Sequence, residues 1–205
     1  MTTNRSITRS PVFLVGVLIV AAFAITIALN AGGDGGSDVA EATETAAVVI
    51  TGESLPPFAD DDAARGLPAP AVTGLSFDDS AVDLSQPAAR IYGFFAHWCP
   101  HCQRELPIVQ AWIEEGLVPD GVEFVAVSTA VERSADNFPP SAWFTDVGYD
   151  ATVLVDDDNN SVANAFGLPG FPYWVATDGD GNVVARAGGA VDRNGFQALI
   201  ALAEG

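Results

Sequence analysis

Apolar residues in the C-terminal two-thirds of the chain recur in two alternating patterns. Short apolar or alternating runs of the kind that form strands fall at seven places: AVTGLSF (71–77), SAVDL (80–84), ARIYGFFA (89–96), VEFVAVS (122–128), ATVLVD (151–156), YWVAT (173–177) and NVVARA (182–187). The apolar run 89–96 is typical of a central strand that is buried on both faces. The last two runs flank an Asp-Gly-Asp-Gly turn and predict a hairpin.

Helical patterns lie between these strands. After the run 89–96, one helical face carries four apolar residues, Leu106, Val109, Trp112 and Ile113, and Gly116 is a suitable terminator. Further helices are predicted over PPSAWFTDVG (139–148), NSVANAFG (160–167) and DRNGFQALIALAEG (192–205). Strands that alternate with helices predict an α/β sheet.

The N-terminal region divides into a basic part and an apolar part. Residues 1–10 carry Arg5 and Arg9 and no acidic residue, whereas residues 11–30 (PVFLVGVLIVAAFAITIALN) carry no charge. A stretch of about 20 apolar residues is long enough to span a bilayer. A cleaved signal peptide is the alternative, but its apolar region is usually about 7–15 residues long, and the small-residue cleavage site here is poor. We therefore predict a retained single-pass anchor over 11–30, with residues 1–10 in the cytoplasm and the rest of the chain outside.

Residues 31–67 mix glycine, small residues, acids and proline without sustained periodicity. Such a composition is typical of a tether, although AAVVI (46–50) has the character of a short strand. The sequence therefore predicts a flexible acidic linker over 31–67 and a folded domain over 68–205.

Charge excludes one class of partner. The 205-residue chain has 27 acidic and 8 basic residues and a formal net charge of −19. The basic residues are all arginines and do not cluster into the patch that phosphate contacts require, so nucleic-acid binding is excluded. Two acidic stretches, 156–160 and 178–182, lack the glycine and glutamate spacing of a calcium loop and are predicted to be turns.

The only two cysteines of the chain, Cys99 and Cys102, lie in FFAHWCPHCQRELP (94–107). Because this motif follows the predicted central strand and opens a helix, we expect the Cys99 sulfur at the helix N-terminus, where free backbone N–H groups favour a thiolate. Pro100 suits the first helical turn, since its missing N–H would have no partner there. Cys102 follows one turn later, near enough to form a disulfide with Cys99. The pair is therefore predicted to switch between dithiol and disulfide without a cofactor.

Two other uses of these cysteines are less favoured. A structural disulfide across so short a loop gains little entropy. A metal site has only four candidate ligands, Cys99, Cys102, His97 and His101, whose thiolates and imidazoles suit copper better than zinc. Copper binding, or assembly of cytochromes or metalloproteins with the same Cys/His set, is the alternative function. A covalent c-type haem is excluded because Gln103, not histidine, follows the second cysteine.

Three segments resemble, in the right order, the motifs of one known family. PAPAVTGLSFDDSAVDLSQ (68–86) is similar to its PAPDF.L...G..V.LS opening, FFAHWCPHCQRELP to its FWATWCPPCR.E.P, and FGLPGFPYWVATDGDGNVV (166–184) to its YGV.G.PT.FLID.DG.IV. These motifs belong to the thioredoxin superfamily and, within it, to the TlpA/ResA-like membrane-anchored thiol-disulfide oxidoreductases of bacteria. The resemblance covers residues 68–204. It implies a thioredoxin-like mixed central sheet flanked by helices, protein thiols or disulfides as substrates, and a membrane or extracytoplasmic redox partner.

The resemblance also implies a role for each matching residue. Cys99 is then the attacking, partly exposed thiol and Cys102 the buried resolving thiol. Trp98 is a flat apolar shoulder beside the disulfide, with plain core packing as the alternative. Pro172, preceded by Phe171, matches the cis-proline that faces the disulfide and guides a substrate chain; an ordinary trans turn is the alternative.

Two positions depart from the family pattern. Thioredoxin keeps a buried aspartate six residues before the first cysteine, where this chain has Gly93. Glu105, which matches the acid of the family's C..E.P pattern, is the predicted proton acceptor for Cys102, and a solvated, passive surface glutamate is the alternative. The aromatic residues of segment 171–174 predict either an apolar docking face or part of the core.

The dipeptide between the cysteines affects how oxidising the pair is. Pro100-His101 differs from the pair usual in this family and resembles that of the strongly oxidising periplasmic oxidase DsbA. A histidine at this position can donate to the Cys99 thiolate, which favours the reduced form and raises the reduction potential. TlpA/ResA-like proteins usually act as reductants instead. The sequence therefore leaves the direction of electron flow open.

Overall fold

Eight strands and four helices are present in the residues that the computed structural model describes, 43–59 and 61–205. The strands are β1 (Val49–Thr51), β2 (Ala71–Leu75), β3 (Ala81–Leu84), β4 (Arg90–Phe95), β5 (Glu123–Ser128), β6 (Thr152–Val155), β7 (Tyr173–Thr177) and β8 (Val183–Gly188). The helices are α1 (Pro100–Glu114), α2 (Pro140–Val147), α3 (Ser161–Ala165) and α4 (Arg193–Glu204). Each strand and helix predicted after residue 68 is confirmed.

A mixed five-stranded sheet with the order β6-β5-β4-β7-β8 forms the centre of the fold. β4 pairs in parallel with β5, and β5 in parallel with β6, whereas β7 is antiparallel to both β4 and β8. The predicted α/β fold with a mixed central sheet is therefore confirmed. A second, antiparallel sheet consists of β1, β2 and β3.

The central strand β4 is buried along its whole length, and its side chains alternate between two cores. Ile91 and Phe95 pack in the core that α1 and α4 cover. Tyr92 and Phe94 pack in the other core, which α3 and the small sheet cover. From Ile91 to Ala96 the sequence has no charged residue, because neither face of this strand meets water.

The folded part of the chain begins earlier than predicted. Residues 43–59 and 61–67, which composition assigned to the linker, contain β1, and β1 pairs with β2. Leu55 in this segment is buried, and its N–H donates to the last residue of α3 at 2.8 Å. Arg186 forms an ion pair with Asp62. The short-strand character of 46–50 indicated β1. Composition did not indicate the rest of the docking, because the apolar residues that reach the core, among them Leu55 and Ala64, have no periodic spacing.

The predicted anchor, residues 11–30, lies outside the described residues. Within the described part of the chain, none of the helices has the length and apolar character needed to cross a membrane.

Candidate active site

The two cysteines lie at the junction of β4 and α1. β4 ends at Phe95, and Cys99 caps the helix with an extended backbone (φ −75°, ψ 119°), so that Pro100 is the first helical residue. The Cys99 N–H donates to Ala96 O, and the Cys99 carbonyl accepts from Gln103 N–H, both at 3.0 Å. Cys99 therefore lies at the helix N-terminus, as predicted.

Both cysteines are free thiols in this structure, and their exposure differs. Cys102 is fully buried, as expected, but Cys99 is only 6% exposed and not partly exposed, because the carbonyl before Pro172 lies against its sulfur. Burial raises the pKa of the Cys102 thiol far above its ordinary value, and the neighbouring Cys99 and Glu105 raise it further. Cys102 therefore keeps its proton at neutral pH and needs a base before it can act as a nucleophile.

Phe171 and Pro172 approach Cys99 from the loop that precedes β7. The Phe171–Pro172 peptide bond is cis, so the alternative of a trans turn is wrong. The Cys99 thiol donates to Phe171 O at a sulfur–oxygen distance of 3.8 Å. The carbonyl that precedes the cis-proline therefore faces the Cys99 sulfur.

Glu105 lies one helical turn after Cys102 and is only 4% exposed. Its Oε1 accepts a hydrogen bond from Val191 N–H at 2.7 Å. Burial raises the pKa of this carboxyl group above its usual value, although the Val191 bond opposes the rise. The alternative of a solvated surface glutamate is therefore wrong. A buried acid with a raised pKa, one turn from a buried thiol, is suited to exchange a proton with that thiol.

The structure gives a physical reason for Gly93. A Cβ atom on Gly93 would lie 2.8 Å from Phe95 Cε2 and 3.0 Å from Trp174 Cζ3. Two aromatic rings thus occupy the space in which thioredoxin holds its aspartate. A side chain at this position has no room unless the rings move.

Trp98 is 38% exposed, so the alternative of plain core packing is wrong. Its Nε1 donates to Ala130 O at 2.7 Å. Its ring meets Phe171 edge-on with a centroid distance of 5.8 Å. Since both contacts hold the indole in place, Trp98 presents a fixed, partly exposed ring next to Cys99.

Tyr173 and Trp174 belong to the core. Both are fully buried. The Tyr173 hydroxyl donates to Phe166 O at 3.1 Å, and Trp174 Nε1 donates to Gly189 O at 3.0 Å. Among the aromatic residues of segment 171–174, only the half-buried Phe171 therefore has exposed surface that a partner could contact.

The two histidines differ in burial and in partners. His101 is exposed, and its Nδ1 accepts from Arg104 Nη2 at 3.0 Å. His97 is buried; its Nδ1 donates to Asp136 O at 2.8 Å, and its Nε2 accepts from Glu132 N–H at 3.1 Å. Because both ring nitrogens of His97 are occupied, a copper site that includes His97 would have to break these bonds. Among the described residues, no group of three or more His, Cys, Asp or Glu side chains is arranged to hold a metal.

Two backbone groups of the site were not predicted from the sequence. Val191 N–H bonds to Glu105 from 86 residues away, and Ala130 O bonds to Trp98 from 32 residues away. The side chains of Val191 and Ala130 take no part in these two bonds. Every residue except proline has the same backbone groups, so no residue type marked these two positions.

Comparison with known proteins identifies a family and several curated relatives. The family model described as Redoxin matches residues 64–200. Nucleoredoxin from Bos taurus is 29% identical over 116 residues, which cover 56% of this chain and 25% of nucleoredoxin. The thiol:disulfide interchange protein HelX from Rhodobacter capsulatus is 28% identical over 131 residues, which cover 62% of this chain and 69% of HelX. The chain thus spans a quarter of the length of nucleoredoxin and about two-thirds of HelX.

The fold also matches a solved structure. A thiol:disulfide interchange protein of the thioredoxin family from Chlorobium tepidum aligns with a TM-score of 0.57 and 24% identity. The match covers 69% of this chain and 99% of that protein. The thioredoxin-like fold implied by the sequence motifs is therefore confirmed.

Proposed function

Because the chain belongs to the Redoxin family, we propose that it is a thiol-disulfide oxidoreductase that acts on protein disulfides or dithiols. One arrangement carries this proposal. Cys99, at the start of α1, lies against the carbonyl that precedes the cis-proline, and the buried Cys102 thiol lies one turn behind it. The two sulfurs are sufficient for exchange, and the reaction needs no cofactor.

In the reducing direction, the Cys99 thiolate attacks one sulfur of a partner disulfide. The partner's sulfur–sulfur bond breaks as the bond to Cys99 forms, and the second partner sulfur leaves as a thiolate and takes up a proton. Cys102 then loses its proton and attacks Cys99 Sγ, which releases the first partner sulfur as a thiol. Two electrons and two protons have passed to the partner, and Cys99 and Cys102 are left as a disulfide.

Glu105 is the base that we assign to the second step. Cys102 holds its proton tightly because it is buried, and Glu105 is a buried acid on the same helix, one turn away. When Glu105 is ionised it accepts the Cys102 proton, and it returns that proton to the sulfur that leaves. Trp98 and Phe171 supply the apolar surface against which the partner chain lies.

The direction of exchange depends on the reduction potential of the pair. The same steps run in reverse when an oxidised pair meets a partner dithiol. A potential near the roughly −120 mV of DsbA marks an oxidant, and one near the roughly −270 mV of thioredoxin marks a reductant. His101 favours the first role, and the TlpA/ResA-like motifs favour the second.

We place the domain outside the cytoplasm and anchor it through residues 11–30. The uncharged run and the two arginines on its short N-terminal side support this orientation. A reporter protein fused after Gly205 should be active only outside the cytoplasm, and the mature chain should stay in the membrane fraction. A soluble chain that begins near Ala31 would show a cleaved signal peptide instead.

Two assays of the purified protein test the function. The reduced protein is mixed with insulin, and the oxidised protein is mixed with reduced, unfolded ribonuclease. We expect exchange in at least one direction, and we expect Cys99→Ser and Cys102→Ser to abolish turnover. A protein that exchanges with neither substrate but binds Cu(I) tightly would overturn the proposal and favour the metal-binding function.

A further inference from the structure

A groove beside Trp98 offers a binding surface next to the redox pair. The groove has a volume of about 400 Å³. Its walls come from separate parts of the chain: Thr45 in the N-terminal segment, Trp98 before α1, and two loops that carry Glu132 and Asp158. Because Trp98 is adjacent to Cys99, a chain that reacts at Cys99 can reach the groove by crossing one side chain.

Hydrogen bonds hold the walls of the groove in place. Ala130, which lines it, accepts from Trp98 Nε1 at 2.7 Å and donates through its N–H to Asn160 Oδ1 at 2.9 Å. Glu132 N–H donates to the buried imidazole of His97 at 3.1 Å. The groove is therefore preformed, and an occupant meets little cost for ordering its walls.

The N-terminal segment supplies the remaining wall. Thr43 N–H donates to Phe77 O at 2.9 Å, and Ala46 N–H donates to Asp156 O at 3.2 Å, so Thr45 is held from both sides. This segment precedes the residues that match the Redoxin family. Residues 64–200, which match the family, therefore form only part of the groove, and Thr45 adds a wall from outside that range.

The charged side chains that line the groove are both acidic. Glu132 and Asp158 are exposed. Bonds from the Ser134 hydroxyl and N–H lower the pKa of the Glu132 carboxyl group, so that it is ionised at neutral pH. The neighbouring Arg133 guanidinium lies elsewhere, over the Phe138 ring at 5.6 Å. Two carboxylates beside an exposed indole form a surface that attracts a cation.

We propose that this groove binds a basic side chain, lysine or arginine, of an extended partner polypeptide whose cysteine reacts with Cys99. The partner chain crosses Trp98 and places the basic side chain between Glu132 and Asp158. This inference rests on the proposed oxidoreductase function and names its substrate class. The substrates are polypeptides that carry a positive charge within a few residues of the reacting cysteine.

The test uses three peptides that differ only in one residue near a single cysteine: arginine, glutamine or glutamate. The peptide cysteine is activated as a mixed disulfide with a small thiol, and the reduced full-length protein reacts with it at low ionic strength. We expect the arginine peptide to react fastest and the glutamate peptide slowest. Glu132→Gln should lower the ratio of these two rates severalfold, because it removes both an attraction for arginine and a repulsion for glutamate.

A matched control distinguishes the effect of the groove from the effect of the whole chain's net charge, which is −19. Asp120 precedes β5 and Asp180 follows β7, so both exposed carboxylates lie at the end of the sheet opposite α1's N-terminus. The Asp120→Asn, Asp180→Asn double variant should keep the wild-type ratio of the arginine-peptide rate to the glutamate-peptide rate. In the Glu132→Gln, Asp158→Asn double variant this ratio should fall close to one. Equal ratios in the two double variants would overturn the inference. A wild-type protein that reacts with none of the peptides would instead overturn the proposed function itself.

Discussion

The Glu105 carboxylate accepts a 2.7 Å hydrogen bond from Val191 N–H while it lies one helical turn from Cys102. Two residues before Val191, the Gly189 N–H donates to Pro172 O at 2.8 Å. Glu105 thus connects the helix that carries the redox pair with the loop that holds the cis-proline. Its carboxylate therefore has a fixed position relative to both the redox pair and the cis-proline loop, as a proton acceptor requires.

Glu105→Gln should slow the second step of exchange. Glutamine keeps an oxygen that accepts from Val191 N–H but cannot take the Cys102 proton. Because loss of a positioned base costs about 10²–10⁴-fold in rate, release of a preformed mixed disulfide on Cys99 should slow at least ~100-fold. Rapid-quench analysis of that mixed disulfide measures the rate. An unchanged rate would show that water, not Glu105, accepts the proton.

The same substitution should stabilise the fold at neutral pH. Burial raises the pKa of Glu105 in the folded protein, so the folded state holds this proton more tightly than the unfolded chain does. The free energy of unfolding therefore falls as the pH rises from the unfolded pKa, about 4.3, through the raised folded value. Glutamine avoids that loss, because it carries no charge at any pH.

Urea unfolding at two pH values checks this expectation. The free energy of unfolding of Glu105→Gln should exceed that of the wild type at pH 7.5, and the advantage should shrink at about pH 4, where the unfolded carboxyl group also binds its proton. A variant that is less stable than the wild type at pH 7.5 would contradict a raised pKa for Glu105.

Cys102→Ala should accumulate partner proteins linked by a disulfide to Cys99. Cys99 can still attack, but no thiol remains to release the partner. Cys99→Ala should accumulate none, because Cys102 is fully buried and keeps its proton. Non-reducing gels of the two variants, after acid quenching, show the adducts. Equal trapping by both variants would reverse or remove the assignment of attacking and resolving thiols.

Short-range patterns predicted most of the fold and the reactive pair. Each strand and helix after residue 68 repeats an apolar period that depends only on neighbouring residues, and the burial of Leu106 and Val109 follows from helical spacing. Cys99 caps α1, and Cys102 and Glu105 lie within it, so their order along one helix could also be predicted.

Contacts between segments that are distant in the sequence could not be predicted from it. The pairing of β1 with β2, the partners of Glu105 and Trp98, and both bonds of His97 involve backbone atoms far away in the sequence. Gly93 shows the same limit for side chains. The sequence marks the missing aspartate, but only the fold shows that Phe95 and Trp174 fill its place.

Substitutions of Gly93 should therefore destabilise the domain. A Cβ atom there meets Phe95 at 2.8 Å and Trp174 at 3.0 Å, and overpacking of a core typically costs about 1–3 kcal/mol. Gly93→Ala should lose that amount, and Gly93→Asp should lose more because it adds a carboxyl group among aromatic rings. Urea unfolding measures both. Gly179→Ala is the control, since a Cβ atom there meets nothing within 4 Å; equal stability of Gly93→Ala and this control would mean that the rings move without cost.

His101→Pro should make the protein a stronger reductant. Proline is tolerated in the first turn of α1, where the N–H groups have no intrahelical partner. Arg104 Nη2 donates to His101 Nδ1 at 3.0 Å, which leaves Nε2 as the N–H donor of the ring. Without this donor the Cys99 thiolate is less favoured, so the disulfide gains stability relative to the dithiol. We expect the reduction potential to fall by roughly 30–60 mV, since about 30 mV corresponds to ~1.4 kcal/mol for a two-electron couple.

Equilibration with glutathione measures the potential of both forms. A wild-type potential toward the roughly −120 mV of DsbA, lowered by the substitution, would establish an oxidant tuned by His101. A wild-type potential near the roughly −270 mV of thioredoxin, unchanged by the substitution, would show that His101 does not act on Cys99, and the protein would then be a reductant.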